Sequence, residues 1–383
     1  MTSKHVATGL SHGHRHLAEH AETAVKRALA KAGLERANAV LLFLTPEYAA
    51  NPEPSLRAAA RAAGCLQVVG CTGAGLITED EWVLDSPGAA AMVLGGELAL
   101  SNVSQRNFNH DDTVLSLCTP AGLTSEWLDI AARRFGVVSG DLTGQGPFSV
   151  WSGARVAESG RVDAVITGVD CVIAASQGVR ALTSPIEVAE VQGNDIKRLG
   201  NYPALSVLVQ SLPPKVREME NVPMHLIMGG VAIGDPETAI RDGRYRLNHI
   251  VAANPSDQSI TLSERPARGE RLFWAMRDAL TAERDMRACV ERSAQTLGAD
   301  PDFALLFPCI GRGPSFFGNR DRDLDALRSR FPGLPIIGMY GNGELGPLDE
   351  INHLFQYSAI LGLFSKTTAR AQPDAAHKLN PAF

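Results

Sequence analysis

Arg312 stands between two glycines in "CIGRG" (309–313), where the apolar run "FALLFP" (303–308) stops. A planar guanidinium there suits a carboxylate or phosphate held at two points. The alternative is a structural ion pair with an acid such as Glu344 or Asp349. Glu344 follows "GNG" (341–343) and could accept hydrogen bonds from an ammonium group, or serve as a surface or helix-capping acid. Tyr340, in "MYGNG", offers an aromatic wall and one hydroxyl, or packs in the core. Cys309 is a nucleophile only if a base lowers its pKa. His225, His249 and His353 carry no spacing that ties them to it, so no triad can be assembled. A buried or ligand-facing thiol is the better reading, and Cys71 reads the same way.

The loops at 71–75, 309–313 and 339–344 are rich in glycine and follow apolar runs. Backbone N–H groups in such loops can cradle an anion; otherwise the glycines only permit tight turns. None has P-loop spacing, and "GCTGAG" (70–75) is not G-x-G-x-x-G, so no nucleotide fold is assigned. The candidate ligand-binding set is Cys71, Thr72, Gly73, Gln177, Arg180, Cys309, Gly311, Arg312, Gly313, Tyr340, Asn342 and Glu344. Gln177 and Arg180, in and after "SQG" (176–178), would form a further wall. Arg312 and Glu344 together suit a small zwitterion or carboxylate, an α-amino acid first. "HGHRH" (12–16) with His20 resembles a metal cluster, but spacing alone does not fix geometry. No metal or cofactor is expected; the alternative is haem, with His225 or His249 as axial ligand in apolar, strand-like surroundings.

These residues need a frame. "LAEHAETAVKRALAKAG" (17–33) has helical periodicity and ends on glycine. "AVLLFLT" (39–45) reads as a buried strand, "SLRAAARAAG" (55–64) as a helix and "LQVVG" (66–70) as a strand. The far end repeats the order: helix 283–298, strand 303–308, helix 320–331, strand 334–338. "VVGCTGAGL" (68–76) aligns with "IIGMYGNGE" (336–344), glycine under glycine at three positions. We read an internal repeat: a mixed α+β protein, within the α/β class, of two related halves. Each half is an αβαβ unit with added antiparallel hairpins. Hairpins are expected at 186–200 and 245–264. The Pro-bounded segment 212–223 is the expected boundary, dividing the chain into 1–215 and 216–366, with 367–383 as a disordered tail.

The chain has 383 residues, 45% hydrophobic and 20% charged, with net charge −6. There is no basic block for nucleic acid and no apolar stretch of roughly 18 residues to span a bilayer. The N-terminus lacks a signal-peptide core. A cytoplasmic location is expected. The six cysteines form no C-x-x-C pair and are expected to be reduced.

With these segments named, the chain resembles the FIST family in both halves. The resemblance rests on "VVGCTGAGLI" (68–77), "SQGVRALTSPIEVAEVQGNDIKRLGNYPAL" (176–205), "LLFPCIGRG" (305–313), "GMYGNGELGP" (338–347) and "INHLFQYSAIL" (351–361). It implies a FIST N-like domain over 1–215 and a FIST C-like domain over 216–366. It also implies a sensory, small-ligand-binding module, with amino acids or similar metabolites as ligands and haem-based nitric oxide sensing in some members. No length remains here for a fused output module, so a separate signalling partner is expected. The ligand would sit in a cleft between the halves. The rival from another class is an enzyme using Cys309.

Overall fold

Apolar runs without a polar break fold as strands buried on both faces. In the computed structural model, which describes residues 5–102, 112–130, 132–349 and 351–367, Ala39–Leu44 and Phe303–Pro308 are such strands, every residue buried. Helices Ala18–Ala32 and Glu53–Ala63 flank the first, and Ala279–Leu297 and Arg322–Arg330 the second. Helix Ala18–Ala32 stops where Gly33 turns left-handed at φ 69°, a conformation glycine adopts without steric cost. The next strands run Val68–Thr72 and Ile336–Tyr340, two residues further than the composition suggests. Parallel pairing with the preceding strand carries the first of them through Leu44↔Thr72. Cys71, Thr72 and Tyr340 therefore belong to strands, not loops. Residues 368–383 of the expected tail lie outside the described residues.

The fold is mixed α+β, built on three six-stranded sheets of one pattern. The first has the order 6–12, 88–94, 39–44, 68–72, 150–152, 155–156. The third has the order 169–176, 359–366, 303–308, 336–340, 75–78, 82–83. In both, the middle pair is parallel and every other pair antiparallel. The second sheet, 99–102, 161–167, 113–118, 133–138, 344–348, 351–355, follows the same rule. It is a further copy of the pattern beyond the two αβαβ units.

Each sheet is completed by a hairpin from elsewhere in the chain. The hairpin after 68–72 joins the third sheet, the one after 133–138 joins the first, and the one after 336–340 joins the second. The inner faces share one core, in which Phe43, Leu117 and Phe307 meet Cys71, Val137 and Met339. Helices cover the outer faces of the first and third sheets. The outer face of the second carries the short helix Ser125–Leu128 and a buried Arg134. Arg134 donates to Asp163 Oδ1 at 2.6 Å and to Ser116 Oγ at 2.8 Å.

Between strand 169–176 and helix 279–297 the chain inserts a separate antiparallel barrel. Its strands follow the order 271–277, 186–192, 195–199, 259–262, 245–254, 227–232, and the last pairs back with 271–277. The two expected hairpins form part of it. The Pro-bounded segment 212–223 lies inside it, so strands from both sides of that segment share one sheet.

Gly70, Gly136 and Gly338 occupy equivalent places on the parallel middle strands, opposite Leu42, Ser116 and Leu306. A Cβ there would lie 1.7, 2.0 and 1.7 Å from those residues' carbonyl oxygens. Gly70→Ala or Gly338→Ala is expected to destabilise the protein by more than about 3 kcal/mol, read as a lowered urea midpoint. Gly33→Ala, with nothing within 4 Å, is expected to lose only about 1 kcal/mol.

Candidate functional site

The three glycine loops come together at the carboxyl ends of the central strands. Ala74 N–H donates to Tyr340 O at 2.9 Å, Ile310 N–H to Gly341 O at 2.9 Å, and Gly341 N–H to Pro308 O at 3.0 Å. They close on one another rather than framing a hollow. A Cβ on Gly73 would lie 2.5 Å from Met339 Cε, and one on Gly341 2.0 Å from Val137 Cγ2. Here glycine serves close packing. Cys71 Sγ rests 3.2 Å from Met339 Sδ, and Thr72 Oγ1 2.9 Å from Ser139 Oγ. Both side chains are fully buried, so Cys71, Thr72 and Gly73 line the core.

Arg312 is 1% exposed and takes the structural alternative, with an acid other than those expected. Its Nε and Nη2 grip Asp323 Oδ2 and Oδ1, each at 2.9 Å. Nη1 donates to Ser176 O at 2.8 Å, and Nη2 also donates to Ser176 Oγ at 2.8 Å and Ala282 O at 3.1 Å. Every nitrogen of this buried guanidinium already holds a protein acceptor, and its two-point face is taken by Asp323. Tyr340 likewise packs inside, its hydroxyl donating to Asp321. Asp321 in turn accepts from Leu324 N–H at 2.8 Å and caps helix 322–330. Gly313, at φ −75°, supplies no special backbone geometry.

Glu344 is fully buried, neither a surface acid nor a helix cap. Oε2 accepts from Ser358 Oγ at 2.7 Å, while Oε1 has no hydrogen-bond partner. Burial pushes this carboxyl well above its ordinary range. Cys309 is buried beside it. Burial first, then Glu344, raise the thiol, the reverse of what a nucleophile needs. Among the remaining candidates, Gln177 donates to Gly243 O at 3.1 Å and Tyr245 O at 3.0 Å. Arg180 is exposed on the edge strand 179–181, and Asn342 is half-buried beside Gly140.

His225 lies exposed on the single turn 224–226, not in an apolar strand. His249 is half-buried, with Nε2 bonded to Gln356. His353 is half-buried and held below its ordinary range, first by burial and then by Arg246. Among the described residues, no group of three or more His, Cys, Asp or Glu could hold a metal ion. No helix among them is long and apolar enough to cross a membrane.

One arginine that the sequence did not single out reaches the same strand end. Arg277 ends the barrel strand 271–277 and reaches across to the third sheet. Its Cζ lies 3.7 Å from the Tyr357 ring centroid and 4.9 Å from that of Phe316. Nη2 donates to Gly311 O. Among the described residues no carboxylate pairs with it, and burial lowers its pKa. Tyr357 sits at φ 55°, an uncommon conformation for a bulky side chain. Gly311 is open only as glycine, because a Cβ would lie 2.5 Å from the Tyr357 ring. An arginine closing the run "RLFWAMR" (271–277) was the only signal in the sequence.

Two outcomes follow. Arg312→Ala strands Asp323 as an unpaired buried charge and is expected to destabilise by about 3–5 kcal/mol, measured by urea unfolding. Burial and then Asp323 push Asp321 up to about 6. In the unfolded chain it titrates near 3.8. Between these values the folded state holds the extra proton, so this group's contribution to stability is full below the unfolded value and falls as pH rises toward 6. Asp321→Asn is expected to flatten that part of the stability–pH profile, followed by urea midpoints from pH 4 to 7.

Comparison with known proteins agrees with the resemblance. A FIST N domain matches residues 38–201 and a FIST C domain residues 204–347. An uncharacterised protein of Mycobacterium tuberculosis is 32% identical over 232 residues, 60% of this chain and 59% of its own. A second from that organism is 29% identical over 251 residues, 64% and 65%. F-box only protein 22 of Homo sapiens is 29% identical over 73 residues, 18% of each chain. The chain thus spans roughly three fifths to two thirds of the length of these curated relatives. FIST domains are sensory, small-ligand-binding domains, and with both matched across most of its length this chain belongs to the FIST family.

Proposed function

We propose that this chain binds a small carboxylate, with α-amino acids the first class to test, at the junction of the barrel and the third sheet. In this reading the chain is a cytoplasmic sensor that reports binding to a separate signalling protein. The observation that carries it is Arg277, packed against two aromatic rings with no carboxylate partner among the described residues. A half-buried guanidinium with donors to spare suits a carboxylate in two-point geometry, and the rings hold its plane for that contact. Tyr357 adjoins Gln356, which bonds His249 of the barrel. A ligand drawing Arg277 from Gly311 would therefore bias how barrel and sheet meet, which is what a sensor must do.

Calorimetry against an amino-acid and carboxylate panel tests this. Arg277→Ala is expected to weaken binding roughly thirtyfold, about 2 kcal/mol, with the fold intact by circular dichroism. Arg277→Lys is expected to restore only part, since an ammonium lacks the fork. Binding confined to neutral or cationic compounds, or unchanged affinity in the Ala variant, overturns the assignment.

A further inference from the structure

A groove of about 1230 Å³ runs between helix Glu53–Ala63 and the hairpin 150–156 of the first sheet. Ala49, Ala60, Leu66 and Val156 give it apolar walls. Arg57 and Arg61 line it from the helix and Arg155 from the hairpin opposite. All three arginines are exposed. Glu53 and Glu158 also line the groove, yet among the described residues neither forms an ion pair with them. The charge of Arg61 also reaches Glu22, which is already paired with Lys26 at 2.5 Å.

The third sheet shows what this wedge looks like when filled. There helix 322–330 is fastened to hairpin 75–83, because Arg328 Nε donates to Glu79 O at 2.6 Å and Nη2 to Thr78 O at 3.5 Å. In the first sheet the equivalent helix and hairpin touch only lightly, and Arg57 and Arg61 line the groove that remains. The hairpin turns through Gly153 and Ala154, at φ 60° and 57°. That tight two-residue turn ends in a methyl group at the groove's edge.

The geometry points to a second binding site, for a small molecule carrying a diphosphate. Cationic groups on facing walls suit a ligand with two linked anionic groups, one for each wall. Phosphate oxygens match the arginine fork, and the alanine-rich helix face and Leu66 leave apolar area for an attached organic group. A nucleoside diphosphate and free pyrophosphate share this chemistry.

The test is calorimetry of the full chain at low salt with pyrophosphate, ADP and orthophosphate. Pyrophosphate and ADP are expected to bind, with orthophosphate at least roughly tenfold weaker. Tighter binding of ADP would identify an organic diphosphate as the occupant, and tighter binding of pyrophosphate the free anion. Arg57→Ser and Arg155→Ser are each expected to weaken binding by roughly tenfold, one decade on the affinity scale. Arg268→Ser, an exposed barrel arginine away from the groove, is expected to change nothing. Surface substitutions of this kind leave melting little altered, so lost affinity in a variant that melts like the parent reports the site itself. Absence of binding at millimolar pyrophosphate and ADP, or undiminished binding in both groove variants, overturns the proposal.

Discussion

Arg312 and Asp323 form the joint on which the third sheet and its surroundings depend. Two parallel charge-assisted bonds fix the guanidinium, and three more tie it to Ser176 and Ala282. One side chain thereby links the strand-end loop, the last residue before the barrel, and both helices of the third sheet. A buried charge is tolerated only when paired and fully bonded, and here each nitrogen is spoken for. With this arginine locked inside, only a different one could meet a ligand at the strand end. Arg277, arriving from the barrel, has the donors to do so.

The central strands and their helices were legible because local rules govern them. Unbroken apolar runs, helical periodicity and glycine at helix ends agree with one another in "AVLLFLT" and "LAEHAETAVKRALAKAG". The second sheet was not legible. Its middle strands contain Ser116, Arg134 and Gly136 and lack a long flanking helix, so neither composition nor order marked them as a copy. Their polar residues bond one another through Asp163, which stands well away in sequence.

The site was half legible, for the same reason. Sequence pointed to this strand end and to an arginine, the residue type on which the proposed site also rests. It could not say which arginine was occupied, since Ser176 lies 136 residues before Arg312. Nor could it give Glu344 its place: an acid after a glycine loop reads as exposed until its burial is known. The glycines had two readings, and the distances a Cβ would meet decide for close packing at Gly73 and Gly341.

The exchange of hairpins bears on how the chain matures during synthesis. The first sheet has all its strands once residue 156 has been made. The second, begun at 99–102, waits for 344–355, and the third, whose hairpin 75–83 is made early, waits for 359–366. The inner edge of that hairpin, along strand 75–78, must therefore stay unpaired while some two hundred and fifty residues follow it, until strand 336–340 arrives. An unpaired strand edge invites wrong partners. The short reach of that edge, only Gly75–Thr78, limits the surface it offers while it waits.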